Sequence, residues 1–231
     1  MPRPLPLALA CLVLALAGCG GDDKQAGSST PAATQTATPE DTGGEQGTGC
    51  EHAAKPKPKR ARFARPKQRL DPSKAYIAKV DTNCGEFEIA LDAKRAPQTG
   101  GSFKFLADKG FYDGLAFHRI VPGFVIQGGD PKGNGSGGPG YSVVEPPPDD
   151  LTYVKGVVAM AKTELEDPGT SGSQFFVVTG ADAQLPPEYA LLGKVTNGQE
   201  VVDTIGVAPV GPDEQPVDPI VMESVKLTEK R

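Results

Sequence analysis

The apolar residues of this chain gather beyond about residue 70, in short runs broken by glycine and proline. Tyr76 to Asp81 and Glu86 to Leu91 flank a Thr82-Asn-Cys-Gly85 break, and Phe87, Ile89 and Leu91 alternate with Glu86, Glu88 and Ala90. That spacing predicts a half-buried hairpin. Pro97 then stands where a helix can begin, because its missing N–H costs nothing in the first turn. Phe103, Leu106 and Ala107 share one side of that helix and Gly110 ends it, although the Gly100-Gly101 pair weakens it by about 1 kcal/mol per glycine relative to alanine. Two apolar runs ending at Val121 and starting at Phe124 flank a Val-Pro-Gly-Phe break, which predicts two strands joined by a turn. Further strands are expected near Val157–Ala161, Phe175–Thr179, Ala190–Val195 and Ile220–Leu227, with a second helix from about Gln199 to Ile205. Many strands with two helices suggest a closed β structure with helical plugs.

Within the central pair, Arg119 and Gln127 sit among Phe117, Ile120, Val121, Phe124 and Ile126. A cation in such company has either a structural partner or a task, and the residues alone leave both open. His118 alternates with Arg119 and is expected on the opposite face, in a packing role. The only other histidine is His52, so a His-based metal site is not expected. Ser171 and Ser173 lie among glycines without a nucleophile-elbow frame or an available base. Gly133 to Gly138 has dinucleotide-fingerprint spacing, but Pro139-Gly140 follows where a helix would have to start. No general acid–base pair is evident, which fits a reaction that makes and breaks no covalent bond.

Composition divides the chain. Of 231 residues 38% are hydrophobic, and the deficit lies before about residue 70, so one domain behind a long non-globular leader is expected. The formal charge is -5, yet eight basic residues and no acidic one fall between Lys55 and Arg69. From Leu70 onward 14 basic residues face 23 acidic ones, which argues against nucleic acid as a partner of the domain.

The leader opens with Arg3 and an apolar run from Leu5 to Ala17, too short to span a bilayer but suited to a signal peptide. Leu16-Ala17-Gly18-Cys19 resembles a lipobox, the cleavage site of bacterial lipoproteins. That resemblance implies a signal peptide over 1–18, lipid on Cys19, and a protein held on the extracytoplasmic side of the cell membrane. An ordinary secretory signal with an incidental cysteine is the alternative. Residues 19–72 are expected to form a flexible tether containing the basic segment 55–69. That segment is either a solvated, extended linker or a surface attracted to anionic lipid or to the acidic domain of its own chain. Cys50 and Cys84, the thiols left after processing, are a disulfide candidate, with two free thiols as the alternative.

The stretch FHRIVPGFVIQGGD, Phe117 to Asp130, resembles the signature of the cyclophilins, the cyclosporin-binding family of peptidyl-prolyl cis–trans isomerases. A second signature stretch follows as Gly156-Val157-Val158-Ala159-Met160-Ala161 and Gly172-Ser173-Gln174-Phe175-Phe176-Val177. The resemblance implies a mainly β domain over 73–231, a closed eight-stranded antiparallel barrel capped by two helices. It also implies isomerisation of X-Pro bonds in extracytoplasmic polypeptides during folding, with no cofactor, no metal and a monomeric protein. Arg119 would be the donor to the prolyl nitrogen and Gln127 would hold both Arg119 and a substrate carbonyl. Phe124, Val125, Phe176 and Leu185 would line the proline pocket with Gln174 at its edge. Ala161 and Lys162 would offer backbone to an extended peptide. Val125, Lys162 and Tyr189 depart from the residues usual in the family, and the family's tryptophan is replaced by Gln184, which puts tight cyclosporin binding in doubt. A non-catalytic peptide-binding or holdase module, or a scaffold displaying the basic leader, would be the competing reading.

Overall fold

A computed structural model describes residues 49–230; the expected signal peptide, Cys19 and the tether up to residue 48 lie outside the described residues. The hairpin is β1 (Ala75–Thr82) and β2 (Gly85–Leu91), followed by α1 (Pro97–Asp108) with its proline at the first helical position. Then come β3 (Leu115–Val121), β4 (Val125–Gly128), β5 (Val143–Val144), β6 (Val157–Met160), β7 (Thr170–Ser171) and β8 (Phe175–Val178). The chain closes with β9 (Leu191–Asn197), α2 (Gln199–Gly206) and β10 (Val221–Lys230). Eight strands form a closed barrel in the order β1-β10-β3-β4-β8-β6-β9-β2, every pair antiparallel. The remaining two, β5 and β7, form a separate two-residue ladder that the apolar pattern does not announce.

Side-chain alternation along β4, β6 and β8 creates two apolar faces. Ile126, Val158, Met160, Phe175 and Val177 join Phe87, Phe103, Tyr112 and Phe117 in the main core. Their neighbours Val125, Val157, Ala159, Phe176 and Val178 belong to a second cluster with Tyr153 and Leu191. Both faces of β6 and β8 are therefore buried, which is why these strands read as continuous apolar runs and not as alternating ones. The turn between β3 and β4 has Pro122 followed by Gly123 at φ 72°, the left-handed second position of a type II turn, and Phe124 donates its N–H back to Val121 O at 3.0 Å.

Residues 49–72, expected as tether, instead lie along the barrel. Backbone N–H groups of Glu51, Lys59, Phe63 and Leu70 donate to the carbonyls of Asn83, Pro131, Pro139 and Pro97 at 2.7–2.9 Å. Phe63 packs edge-on against Phe105 at 5.9 Å and against Phe111 at 6.1 Å, and Leu70 is buried. Cys50 is joined to Cys84 in the β1–β2 turn. Three apolar side chains among eight charges, with prolines holding the backbone extended, suffice to dock this strap once the barrel offers a surface.

The Gly100-Gly101 pair belongs to this contact. A Cβ on Gly100 would lie 2.4 Å from Leu70 Cδ1, and one on Gly101 would lie 2.4 Å from the Gln68 carbonyl oxygen. In an isolated helix Gly101→Ala would stabilise by about 1 kcal/mol. Here it is expected to destabilise the full chain, by about 1–3 kcal/mol of overpacking against backbone. Urea denaturation of the variant checks this, and a gain in stability would mean that the strap does not pass this close.

Candidate active site

The antiparallel register sets three of the expected residues in one row. Arg119 on β3 pairs with Gln127 on β4, and Gln127 pairs with Phe176 on β8. Directly opposed residues share a face, so the cation, the amide and the ring emerge side by side from the outer face of the barrel. Val125 and Val178 form the next row on that face. Phe124, Ala161, Leu185 and Tyr189 pack around the same cluster.

Aromatic rings meet in this cluster. Phe176 and Tyr189 meet edge to face at 5.5 Å and 87°, and Tyr153 meets Tyr189 at 5.9 Å and 88°. Tyr153 is a brace that sequence reasoning missed. Its hydroxyl donates to Tyr189 O at 2.7 Å and accepts the Tyr189 N–H at 3.0 Å. Burial pushes this phenol up to about 12, although the hydrogen bond to the Tyr189 backbone works the other way. It therefore stays neutral and keeps its donor at ordinary pH.

Polar partners divide differently from the expectation. Gln127 does not hold Arg119; its Nε2 donates to Gln174 Oε1 at 3.0 Å, and Gln174 Nε2 donates in turn to the carbonyls of Gly135 and Gly137, both at 2.9 Å. Arg119 is held by Glu214, whose Oε2 accepts from Nε at 2.6 Å. Among the described residues the two terminal nitrogens of Arg119 make no hydrogen bond, and the side chain is 37% exposed. Glu214 sits in the left-handed region at φ 61°, with its own carbonyl accepting the Ile120 N–H at 2.8 Å. A non-glycine residue held there is strained, and such strain gathers at functional sites. No sequence signal marks Glu214, which lies 95 residues from Arg119 in a loop of ordinary composition.

The β3–β4 ladder slips between Phe117 and Arg119, so His118 is the extra residue of a bulge and is buried with Phe117. Burial holds its pKa below the ordinary histidine value, against an upward pull from Asp130, so it packs as a neutral ring. Asp130 accepts the N–H groups of Lys132 and Asn134 at 2.7 and 3.0 Å and so shapes the glycine-rich loop. That loop turns carbonyls, not a nest of N–H groups, toward Gln174.

Residues 77–227 match the family described as cyclophilin type peptidyl-prolyl cis-trans isomerase/CLD. The chain belongs to that family. It is similar to peptidyl-prolyl cis-trans isomerase A of Mycobacterium tuberculosis, with 36% identity over 68% of this chain and 94% of the relative. Peptidyl-prolyl cis-trans isomerase B of Bacillus subtilis is 44% identical over 54% of this chain and 85% of its own length. A crystal structure of a Cryptosporidium parvum cyclophilin type peptidyl-prolyl cis-trans isomerase superimposes with a TM-score of 0.63 at 31% identity, covering 68% of this chain and 99% of that one. A crystal structure of that isomerase in the presence of the dipeptide Ala-Pro gives a TM-score of 0.61 at 32% identity. This cyclophilin is thus a peptidyl-prolyl cis–trans isomerase with the mainly β, eight-stranded barrel and two helices of its relatives.

Two positions of the cyclophilin groove behave differently from their expected use. The Ala161 N–H is taken by Gln174 O at 2.9 Å, while the Ala161 carbonyl and the Lys162 N–H have no hydrogen bond among the described residues. The Lys162 side chain is only 4% exposed, folded over the Tyr189 ring at 5.5 Å with its ammonium 3.2 Å from Glu188. It lies against one side of the aromatic cluster. Gln184, which the resemblance sets in place of a tryptophan, is exposed beside Leu185 with φ 52°.

Proposed function

We propose that Arg119 is the group that accelerates prolyl isomerisation here, acting on the twisted imide and not on the ground-state peptide. The observation that carries this is its pairing: Glu214 holds Nε, and the terminal nitrogens stay free on a residue that stands in one row with Gln127 and Phe176. Rotation about X-Pro meets a barrier of about 18–20 kcal/mol set by amide resonance. The proline ring rests against Phe124, Val125, Phe176, Leu185 and Tyr189, while Gln127 and the Lys162 N–H grip the flanking backbone. As the bond twists, the prolyl nitrogen loses conjugation and becomes a better acceptor. A fixed guanidinium donor then binds the transition state more tightly than either ground state. Carboxylate contact through Nε fixes the guanidinium plane before substrate arrives, so little ordering remains for the reaction itself.

We further propose that the enzyme works outside the cytoplasm as a monomer, anchored by lipid on Cys19. The lipobox-like Leu16-Ala17-Gly18-Cys19 and the Cys50–Cys84 link support this reading, since structural disulfides persist in oxidising compartments. Its clients are then proline-containing polypeptides emerging from export. Membrane fractionation with mass measurement is expected to give a lipid-sized mass increase on Cys19, lost in Cys19→Ala. A mature wild-type protein with an unmodified Cys19 would end the anchoring proposal.

Removing Arg119 should lower turnover and leave peptide binding nearly intact. Losing a charged hydrogen bond made in the transition state costs on the order of 3–4 kcal/mol, a hundred- to thousandfold in rate. Arg119→Lys should recover little, because a point charge lacks the planar fork that Glu214 grips. Isomerisation of a proline peptide and its affinity, measured for wild type, Arg119→Ala and Arg119→Lys after each is shown to fold, decide the matter. Equal rates in all three would remove Arg119 from the mechanism.

A further inference from the structure

A cavity of about 790 Å³ is lined both by Gln127, Ala161 and Gln174 of the barrel and by residues Pro58 to Arg62 of the strap. The strap presents Lys59, Arg60 and Arg62 to it, and Lys132 and Lys162 add two more cations against the single carboxylate of Glu166. Most of these charges are already engaged. The Lys59 ammonium donates to the Asp113 carbonyl, Lys132 donates to Ser136, and Lys162 lies against Glu188. The Glu166 carboxylate accepts from the backbone and hydroxyl of Thr163 at 2.7 and 2.9 Å. Arg60 and Arg62 alone among these cations have no hydrogen bond or ion pair with any described residue.

Their backbone is nevertheless held. Lys59 and Phe63 are bonded to Pro131 O and Pro139 O on either side, and Phe63 is packed between two rings. Two exposed guanidinium groups are thus carried by a fixed segment over a concave space. That space shares Gln127 and Gln174 with the groove in which a substrate must lie.

We propose that this cavity is a subsite for a carboxylate side chain of the client polypeptide, borne within about three residues of the proline being turned, and that Arg60 and Arg62 recognise it. The inference rests on the isomerase reading and adds a preference for acidic sequence context. Extended chain advances about 3.3 Å per residue, so a neighbour one to three positions from the proline reaches past Gln127 into the cavity. The planar guanidinium fork matches a carboxylate in two parallel hydrogen bonds. A concave pocket sharing a wall with the peptide groove suits a side chain delivered by a bound peptide better than it suits a lipid headgroup on a broad membrane surface. The domain around it is acidic, so this cavity is where an acidic peptide meets attraction.

The test compares kcat/KM of the full chain, at low ionic strength, for matched proline peptides carrying Glu or Gln at each position from one to three residues either side of proline. Wild type should favour Glu at one or more of these positions by about two- to fivefold, the range of an exposed charge pair, and the preference should shrink with added salt. In Arg60→Gln/Arg62→Gln the Glu-to-Gln ratio should fall to about one, while Arg60→Lys/Arg62→Lys should retain part of it. A wild-type ratio of one at every position overturns the subsite even if both peptides are turned over. Failure of wild type to turn over the Gln peptides would instead overturn the isomerase reading beneath it. A double Gln variant that keeps the full peptide preference but loses binding to phosphatidylglycerol vesicles would reassign the arginines to the membrane and overturn the proposal.

Discussion

The register of three strands brings together the residues proposed to carry the chemistry of this protein. Because β4 pairs with β3 on one side and β8 on the other, Gln127 stands opposite both Arg119 and Phe176. A slip of one residue would exchange the two faces of β4, burying Gln127 in the barrel and exposing Ile126. The main core prevents this, since Ile126, Phe175 and Val177 fill the barrel interior together with Phe117 and Phe87. Packing of the inner face therefore fixes the geometry of the outer one. The bulge at His118 is the adjustment that lets Phe117 stay inside while Arg119 meets Gln127 outside.

Two supports then finish the site from a distance. Glu214, on the loop before β10, holds Arg119 through Nε and leaves its two terminal nitrogens without a hydrogen bond among the described residues. Tyr153, before β6, holds both the N–H and the carbonyl of Tyr189 and so fixes the ring that meets Phe176. The pair Arg119–Glu214 is too exposed for much net stability, which makes orientation its main effect. The strap adds a further wall, tied down by Cys50–Cys84 and by backbone bonds along its length.

The barrel strands and both helices were legible from apolar spacing, turn residues and Pro97, to within a few residues at their ends. The row Arg119-Gln127-Phe176 was legible only through family resemblance, since pairing register is a property of packing across strands. Glu214 and Tyr153 were not legible at all: they act over 95 and 36 residues with no local pattern around them. The strap was misread for a physical reason. Eight positive charges dominate its composition, while the side chains that dock it, Ala61, Phe63 and Leu70, are too few to make a periodic run. Its counterpart was visible as Gly100-Gly101, which looked like a weak point in a helix and is the place where the strap passes.

On the reading proposed above, the outer face of β3, β4 and β8 both binds proline peptides and turns them over. Exchange spectroscopy on a proline peptide with a catalytic amount of the full chain tests this most directly. Free peptide interconverts over tens to hundreds of seconds and shows separate cis and trans resonances without exchange on the sub-second scale. With the protein present, cis–trans exchange peaks should appear at sub-second mixing times, accompanied by shift changes confined to the neighbourhood of Arg119, Gln127, Phe176 and Tyr189. Binding shifts at these residues without exchange peaks would contradict the account and leave a groove that holds proline peptides but does not isomerise them.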